Sequence, residues 1–237
     1  DLPTGKELWS QSACAGKPAQ PIHPSNTWAS ETPVADANGV YAFFGATGTI
    51  AAFDPTGKPK WKVELGAHPT LQGYGTASSP AILDGKVFVQ CFNEEKAFVA
   101  CLDAKTGKEL WRAAREKPGT SWATPLVWRN QKRTELVASS GMLITSHDPA
   151  TGKELWRADG LNPDNNPFQR IVASPVAVGD LVVAPTRVIP MLVLPAFGSG
   201  DVTKDVLWSF DRGPDVPTPA TDGTLLYVLT DKGLLYC

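Results

Sequence analysis

The sequence has few of the side chains that build metal and redox centres. Its 237 residues include three histidines and four cysteines, and no two cysteines are adjacent or separated by only two residues. The Asp-Asn-Asn run at 164–166 lacks the Asp-x-Asp-x-Asp-Gly spacing of a calcium loop, so we expect a turn there. His23 and His68 fall on different predicted loops, which leaves a zinc site without support. The sequence therefore predicts no metal site.

Two frequent catalytic signatures are missing as well. No Gly-rich phosphate loop follows a strand and opens a helix, and no Gly-x-Ser-x-Gly elbow occurs. Lysine and arginine number 22 against 24 acidic residues, for a formal net charge of −2, and the basic residues form no long run. This balance argues against nucleic acid or an anionic membrane as the main partner. We assign no catalytic residue.

Long apolar runs and helical periodicity are also absent. The most apolar stretch, 181–198, is interrupted by Pro185, Arg187, Pro190 and Pro195, so it predicts no membrane span. The sequence contains no signal peptide. Because it begins with aspartate and not with methionine, we interpret the chain as processed or trimmed.

The sequence does contain one short motif, which we call the repeated phrase, that occurs several times. "DLPTGKELWS" at 1–10 returns as "DPTGKPKWK" at 54–62, "DAKTGKELWRA" at 103–113 and "DPATGKELWRA" at 148–158. The phrases, with a looser fifth copy, end at Trp9, Trp61, Trp111, Trp156 and Trp208, with gaps of 52, 50, 45 and 52 residues. A Ser/Thr-Pro pair alternates with them, at 32–33, 79–80, 124–125, 174–175 and 218–219. Two independent markers with one period indicate a repeat architecture.

Each repeat is predicted to form four short strands. In the second, we predict a strand from Pro80, a turn at Asp84-Gly85, strands at 86–92 and 97–102, a turn at 103–107 and a last strand at 108–113. Four antiparallel strands per repeat predict an all-β fold, a β-propeller with about five blades in this chain. The whole chain, 1–237, is then a single domain with repeats at approximately 29–65, 77–114, 122–160, 172–210 and 216–237 plus 1–10.

The repeated phrase has a physical interpretation. Its aspartate can accept backbone N–H bonds in a turn, and its glycine can take the left-handed conformation that closes the turn. Its tryptophan, on the outermost strand, is suited to packing on the neighbouring blade with its N–H bonded to a backbone carbonyl there. The predicted docking residues are Trp9, Trp61, Trp111, Trp156, Trp208, Asp54, Asp103, Asp148, Gly57, Gly107 and Gly152.

The position two residues before the turn aspartate holds only small side chains. It is occupied by Ala52, Cys101, Ser146 and, at the chain end, Cys237, as expected where a tryptophan from the next blade must fit. Cys101 and Cys237 are therefore predicted to be free thiols. A Cys91–Cys101 bridge across one hairpin is the alternative. His147 stands where other repeats have an apolar residue, so we interpret it as a packed strand residue.

An Ala-x-Asp-x-x-x-Gly-x-x-x-Trp pattern is approximated at 101–111, at 146–156 and, one residue shorter, at 52–61. It resembles the tryptophan-docking motif of the quinoprotein alcohol dehydrogenase-like superfamily, the PQQ-like repeat propellers, over essentially the whole chain. That group includes cofactor-bearing dehydrogenases and cofactor-free proteins of the bacterial envelope, among them an outer-membrane assembly lipoprotein. The resemblance implies a periplasmic or secreted location. Because such propellers commonly have seven or eight blades, this chain either closes through its first strand or, as we prefer, is a segment of a larger ring.

The resemblance leaves two classes of function. Catalytic members are similar in having an adjacent Cys-Cys pair, an aspartate base and a Glu/Asn/Asp set holding Ca²⁺, and none of these can be matched here. We therefore favour a non-catalytic scaffold of the bacterial cell envelope that binds a protein, peptide or glycan, with no cofactor. The alternative is a PQQ-dependent quinoprotein oxidoreductase, resembling alcohol or sugar dehydrogenases, with PQQ and calcium. The oligomeric state is left open.

The segments that join successive blades are the best candidates for a ligand site. They vary most in length between repeats and are expected to cross one face of the disc over the central channel. Taken singly, each of their polar or aromatic residues also fits a solvated or turn-forming loop. The ligand-binding candidates are His23, Asn26, Trp28, His68, Tyr74, Trp122, Arg170 and Arg212.

Overall fold

The computed structural model describes residues 1–18, 20–24, 26–115, 119–187 and 191–237, so Pro190 lies outside the described residues. The chain forms five β-sheets one after another, which we call blades 1 to 5. Single 3₁₀ turns at Leu71–Gly73 and Thr203–Asp205 add to them. The prediction of an all-β fold with four-stranded antiparallel blades is confirmed.

The strands follow the repeats in order. Blade 1 contains β1 (Val34–Asp36), β2 (Gly39–Phe44), β3 (Thr49–Phe53) and β4 (Pro59–Glu64). Blade 2 contains β5 (Ala81–Leu83), β6 (Lys86–Cys91), β7 (Phe98–Asp103) and β8 (Glu109–Ala114). Blade 3 contains β9 (Leu126–Arg129), β10 (Thr134–Ser139), β11 (Leu143–His147) and β12 (Glu154–Asp159).

Blades 4 and 5 depart from this regular pattern. Blade 4 contains β13 (Val176–Val178), β14 (Leu181–Ala184), β15 (Met191–Pro195) and β17 (Trp208–Phe210). Between its last two strands, β16 (Gly200–Asp201) leaves the blade and pairs with β12 of blade 3 in parallel. Blade 5 contains β18 (Ala220–Thr221), β19 (Leu226–Leu229) and β20 (Leu235–Tyr236).

The core lies between successive blades. Along β6, Val87, Val89 and Cys91 pack toward blade 1, whereas Phe88 packs toward blade 3. Successive strand residues point to opposite faces, so a strand in the middle of a propeller buries both sets. This accounts for the nearly continuous burial of β6 and β7. A similar apolar layer separates blades 3 and 4 and, with fewer residues, blades 4 and 5.

Three of the five repeated tryptophans contact the next blade in the same way. Each indole N–H donates to a main-chain carbonyl oxygen in the turn after that blade's third strand. The pairs are Trp9 and Pro55 (3.1 Å), Trp61 and Ala104 (3.0 Å), and Trp111 and Pro149 (3.1 Å). Residues 1–10 form no strand, contrary to the expected outer strand, because no neighbouring strand pairs with them in the described chain.

The turn residues fit this contact closely. Gly57, Gly107 and Gly152 all have φ between 74° and 85°, which favours glycine. A Cβ on any of them would lie 2.5–2.7 Å from an atom of the docked tryptophan ring. The turn aspartates accept backbone N–H bonds from two residues each, at 2.9 and 3.0 Å for Asp54, 3.1 and 2.7 Å for Asp103, and 2.7 and 3.1 Å for Asp148.

The small side chains lie opposite the tryptophan of their own blade, and not under one from the next blade. Cys101 pairs with Phe88 on one side and with Trp111 on the other, and the two rings approach to 6.1 Å between centroids. Ala52 lies in the same way between two rings of blade 1. A small residue is needed because two large rings of one sheet meet above it. Cys237 is exposed and does not fill such a position.

All four cysteines are free, so the alternative Cys91–Cys101 bridge is not formed. Cys91 faces blade 1 and Cys101 faces blade 3, and side chains on opposite faces of one sheet cannot join. Burial raises the pKa of the Cys91 thiol to about 11 and that of Cys101 to about 12. Both thiols therefore stay protonated and unreactive at neutral pH.

Substitutions at Cys101 should show how tightly this position is packed. We expect Cys101→Ala to be nearly neutral and Cys101→Leu to lower the free energy of unfolding by about 1–3 kcal/mol through overpacking. Urea unfolding of the two variants measures the difference. Equal midpoints for alanine and leucine would show that the space between the two rings is not limiting.

Trp156 makes a different contact from the other tryptophans. Its indole N–H donates to Glu135 Oε2 of the same blade at 2.7 Å, and only 1% of the residue is exposed. Its ring lies against Gly198 of blade 4, where a Cβ would come within 3.1 Å of it. Blade 4 has no Asp-x-x-x-Gly turn in this place, and β16 pairs along β12 instead. The backbone carbonyl expected to accept the Trp156 N–H is thus replaced by the carboxylate of Glu135.

Glu135 is the centre of this arrangement. It is fully buried, and its carboxylate accepts bonds from Ser146 (2.5 Å), Asn130 (2.9 Å) and Arg133 (2.9 Å) in addition to Trp156. Arg133 also donates to the carbonyl oxygen of Gly198 at 2.7 Å. Arg133 therefore connects blade 3 to blade 4 through a hydrogen bond to the main chain, while it is ion-paired with Glu135 of its own blade.

Trp208 also departs from the expected docking. It is 46% exposed and borders an apolar groove of about 410 Å³ between blades 4 and 5. Blade 5 has no Asp-x-x-x-Gly turn within residues 220–237 to receive it. Trp208 therefore lies beside the groove and does not dock on an Asp-x-x-x-Gly turn.

Candidate functional site

The segments that join the blades lie at one edge of the sheets. Because blades 1 to 4 each have four antiparallel strands in chain order, the outer strand ends at the edge where the next inner strand begins. The turns between second and third strands open at the same edge. We call this surface the connector face. Its described parts are cross-linked by backbone bonds, such as His23 N–H to Gly73 O (2.9 Å) and Trp122 N–H to Ile171 O (2.8 Å).

Four of the eight predicted ligand-binding residues meet around Tyr74. Its ring lies 5.2 Å from that of His23 and 6.2 Å from that of Trp122, the second contact being edge-on. Asn26 Nδ2 donates to the Tyr74 carbonyl oxygen at 2.6 Å, and the Trp122 indole N–H donates to Gly75 O at 2.7 Å. Trp122 is only 7% exposed, so it supports the cluster from below, whereas His23 is exposed.

An ion pair lies beside these rings. Arg170 donates to both carboxylate oxygens of Asp215, at 3.1 and 2.5 Å, and Arg187 approaches the same carboxylate at 3.4 Å. The hydrogen bond to Asp215 raises the pKa of Arg170, and Tyr74 contributes to the same shift. The Asp215 N–H in turn donates to Asp231 at 2.7 Å, which connects this part of the face to blade 5.

The other three predicted residues lie apart. His68 pairs with Glu95 at 3.3 Å. Trp28 is 43% exposed, and its ring stacks on no other ring of the described chain. Arg212 is exposed beside the ring of Tyr236, 5.6 Å from its centroid. The structure thus brings together five of the predicted residues and separates three.

The sequence analysis missed a polar cavity of about 230 Å³ on the same face. We call it the amide pocket, and its lining is Leu71, Glu94, Gly119, Thr120, Gly141, Met142, Asn162, Asn165, Asn166, Pro167 and Gln169. Several of these residues lie in turns within a blade, whereas the candidates selected from the sequence lie in the segments between blades. The antiparallel order could have revealed them, since it places both kinds of loop at one edge.

Within the described residues, no three His, Cys, Asp or Glu side chains are grouped so that they could hold a metal ion. His147 is buried, and its ring nitrogens lie 3.1 Å from Thr145 Oγ1 and from Gly152 O. Burial lowers the pKa of this imidazole. His147 is therefore a packed strand residue. The described part of the chain also has no helix long and apolar enough to cross a membrane.

Comparison with known proteins agrees with this architecture. Residues 1–237 match the family model described as outer membrane protein assembly factor BamB. No curated protein sequence matches the chain.

Several solved structures share the fold. BamB from Moraxella catarrhalis superimposes with a TM-score of 0.61 at 16% identity, over 98% of this chain and 62% of that one. The computationally designed Ika8 protein gives 0.60 at 16% identity, over 86% and 56%. Quinohemoprotein alcohol dehydrogenase ADHIIG from Pseudomonas putida HK5 gives 0.57 at 16% identity, over 88% and 40%.

This chain therefore spans less than two thirds of these relatives, and at such identities the likeness is one of fold. The match of the family model over every residue goes further. The chain is a PQQ-like repeat β-propeller and belongs to the family of the outer membrane protein assembly factor BamB.

Proposed function

We propose that this chain is a non-catalytic scaffold of the bacterial cell envelope, periplasmic or secreted, that binds a protein, peptide or glycan through its connector face. Among these ligands we favour a polypeptide, because the family is described as an assembly factor for outer membrane proteins. The observation that carries the proposal is the cross-linked connector face. Its residues bond to one another and present a fixed surface.

A fixed surface is useful for binding because fewer side chains have to be ordered when the partner arrives. Gln90 cross-links the strands and the connector that carry the connector face. The residue is buried, and its side-chain N–H groups donate to Ser121 (3.2 Å), to Ala123 O (3.1 Å) and to Ser139 O (3.1 Å). It thereby holds a strand of blade 2, a connector and a strand of blade 3 together.

The alternative, a PQQ-dependent oxidoreductase, fits these residues poorly. A quinone ring needs open faces to stack on and a cation at its carbonyl oxygens. The Tyr74 ring already contacts His23 and the edge of Trp122. The carboxylate of Asp215 is held by two guanidinium groups. The aromatic and acidic groups of the cluster are thus engaged with one another.

A site-specific crosslink would test the proposal. A photo-reactive phenylalanine derivative in place of Trp28 puts the probe on the connector face, where that side chain is exposed. The control replaces Lys105, an exposed residue in a turn at the opposite edge of blade 2. In the periplasm of a Gram-negative host, we expect a discrete polypeptide adduct from position 28 and none from position 105. The partner, identified by mass spectrometry and purified, should then bind the chain stoichiometrically in calorimetry.

Two results would contradict the scaffold. The first is an equal pattern of adducts from both positions. The second is stoichiometric binding of PQQ with Ca²⁺ in calorimetry together with turnover in a dye-linked dehydrogenase assay, which would establish the quinoprotein alternative.

A further inference from the structure

Gln169, which lines the amide pocket, has a buried acceptor without a donor. Gln169 is only 6% exposed, and its side-chain N–H group donates to Leu161 O at 2.6 Å and to the Thr186 hydroxyl. Its Oε1 is buried and has no hydrogen-bond partner in the described chain. A buried acceptor left without a bond destabilises the protein, so this atom is suited to receive a donor from a ligand.

A second acceptor lies at the mouth of the pocket. One oxygen of Glu94 accepts bonds from the N–H (2.9 Å) and the hydroxyl of Thr120. These bonds fix the carboxylate in place. Its other oxygen makes no hydrogen bond or ion pair to another described residue, and the side chain is exposed. The pocket therefore has a negative group at its rim.

Side-chain amides in the same lining supply further donors and acceptors. Asn166 Oδ1 accepts the N–H of Phe168 at 2.9 Å, which leaves its amino group for other contacts. Asn165 adopts a left-handed backbone conformation, with φ of 49°, and its side chain makes no bond to the described chain. Side-chain amides in this state match the alternating N–H and C=O groups of an extended peptide.

The lining also excludes other ligand classes. Among the described residues, the lining contains no lysine or arginine, so a phosphate or carboxylate would lack a counter-charge there. It contains no aromatic side chain, so a sugar ring would lack a flat apolar surface to stack on. Leu71 and Met142 contribute apolar surface suited to a methylene chain. A volume of 230 Å³ equals about seven water molecules, enough for one long side chain and an adjoining peptide group.

We propose that the amide pocket binds an extended peptide segment through an arginine side chain, with Glu94 and Gln169 as acceptors for its guanidinium group. Arginine offers five N–H donors and no acceptor, which suits two separated acceptors, and its stem suits the apolar lining. This inference rests on the proposed function, since it specifies the chemistry by which the connector face would recognise a polypeptide.

The glycine at the pocket wall provides a test that leaves the charges intact. A Cβ at Gly141 would meet nothing closer than Thr120 O at 3.6 Å, and this glycine does not have a positive φ. Gly141→Leu should therefore fold and fill the cavity. Gly16→Leu is its control, because that Cβ also has only ordinary contacts, at 3.5 Å, and Gly16 does not line the pocket. Glu94→Gln removes the charge, and Glu95→Gln is the neighbouring control outside the lining.

The probe is N-acetyl-arginine N-methylamide, titrated into the full chain and followed by NMR. We expect millimolar binding, with about tenfold weaker affinity for Glu94→Gln, Gly141→Leu and the neutral citrulline analogue, as loss of a charge-assisted hydrogen bond implies. The two control variants should bind as the parent does, and thermal unfolding verifies that all variants are folded. Undetectable binding, equal affinity for the citrulline analogue or unchanged binding by folded Gly141→Leu would each overturn the proposal.

The outcomes of this test are separable from those of the crosslinking test. A polypeptide adduct at position 28 without binding of the arginine probe would contradict the proposed arginine site in the amide pocket. The scaffold function would still be supported. Probe binding without any adduct would support the pocket and count against the scaffold.

Discussion

Replacement of Trp156 by alanine is expected to lower the free energy of unfolding by about 3–5 kcal/mol, the usual range for a buried large aromatic residue. The residue is 1% exposed in the layer between blades 3 and 4. Its removal would open a cavity there and take one donor from the buried Glu135 carboxylate. Urea unfolding monitored by circular dichroism measures the loss.

The matched control is Trp28→Ala, which removes an exposed indole and should change the unfolding free energy by about 0.5 kcal/mol or less. Trp111 is half-buried, so its alanine variant should fall between the two. Trp128 lies outside the repeated phrase and is buried in the same layer as Trp156. A Trp156→Ala midpoint equal to that of Trp28→Ala would disprove the structural role.

Replacement of Glu135 by alanine should lower the unfolding free energy by about 3 kcal/mol. The change removes one partner of an ion pair and leaves Arg133, Ser146 and Trp156 without their acceptor. Donors left without an acceptor in a buried position cost more than the net value of the bonds they made. Glu135→Gln should cost less, because the amide oxygen still accepts one of these bonds.

Lys86 is the control for this substitution. It occupies the corresponding strand position of blade 2, two residues before the side chain that faces the small residue. No hydrogen bond or ion pair is recorded for its side chain, so Lys86→Ala should have little effect. If Lys86→Ala destabilised the protein as much as Glu135→Ala, the burial of the carboxylate would not be the cause.

The strands could be predicted from the sequence because their limits are local. In blade 2 the Asp84-Gly85 turn and the turn that begins at Asp103 fix four strands, and the structure places each within one or two residues of the prediction. Turn chemistry of this kind depends on neighbours along the chain and needs no knowledge of the tertiary structure.

The contacts between blades were harder to predict. The repeat suggested that all tryptophans dock alike, but Trp156 bonds to Glu135, a carboxylate whose position is occupied by Lys86 in blade 2. The prediction placed the small residues in the correct strands but assigned them to the tryptophan of the neighbouring blade. A strand pattern shows which residues lie on the same face of a sheet, but it does not show which aromatic ring covers them.

The sequence could select candidate residues on the connector face but could not show which of them meet. Connector residues such as Tyr74 and Arg170 could be selected by type and location. Glu94 and Met142 lie in turns within blades 2 and 3. The antiparallel order places these turns at the connector edge, but their convergence on one pocket depends on how the blades are arranged.

The three regular tryptophan contacts have a consequence for evolutionary divergence. Their acceptors are main-chain oxygens, and the residues that carry them are Pro55, Ala104 and Pro149. A substitution at such a position leaves the carbonyl group unchanged, so the repeats can drift apart while the blades remain joined. The Trp156–Glu135 contact lacks this freedom, and we expect those two residues to change together or not at all.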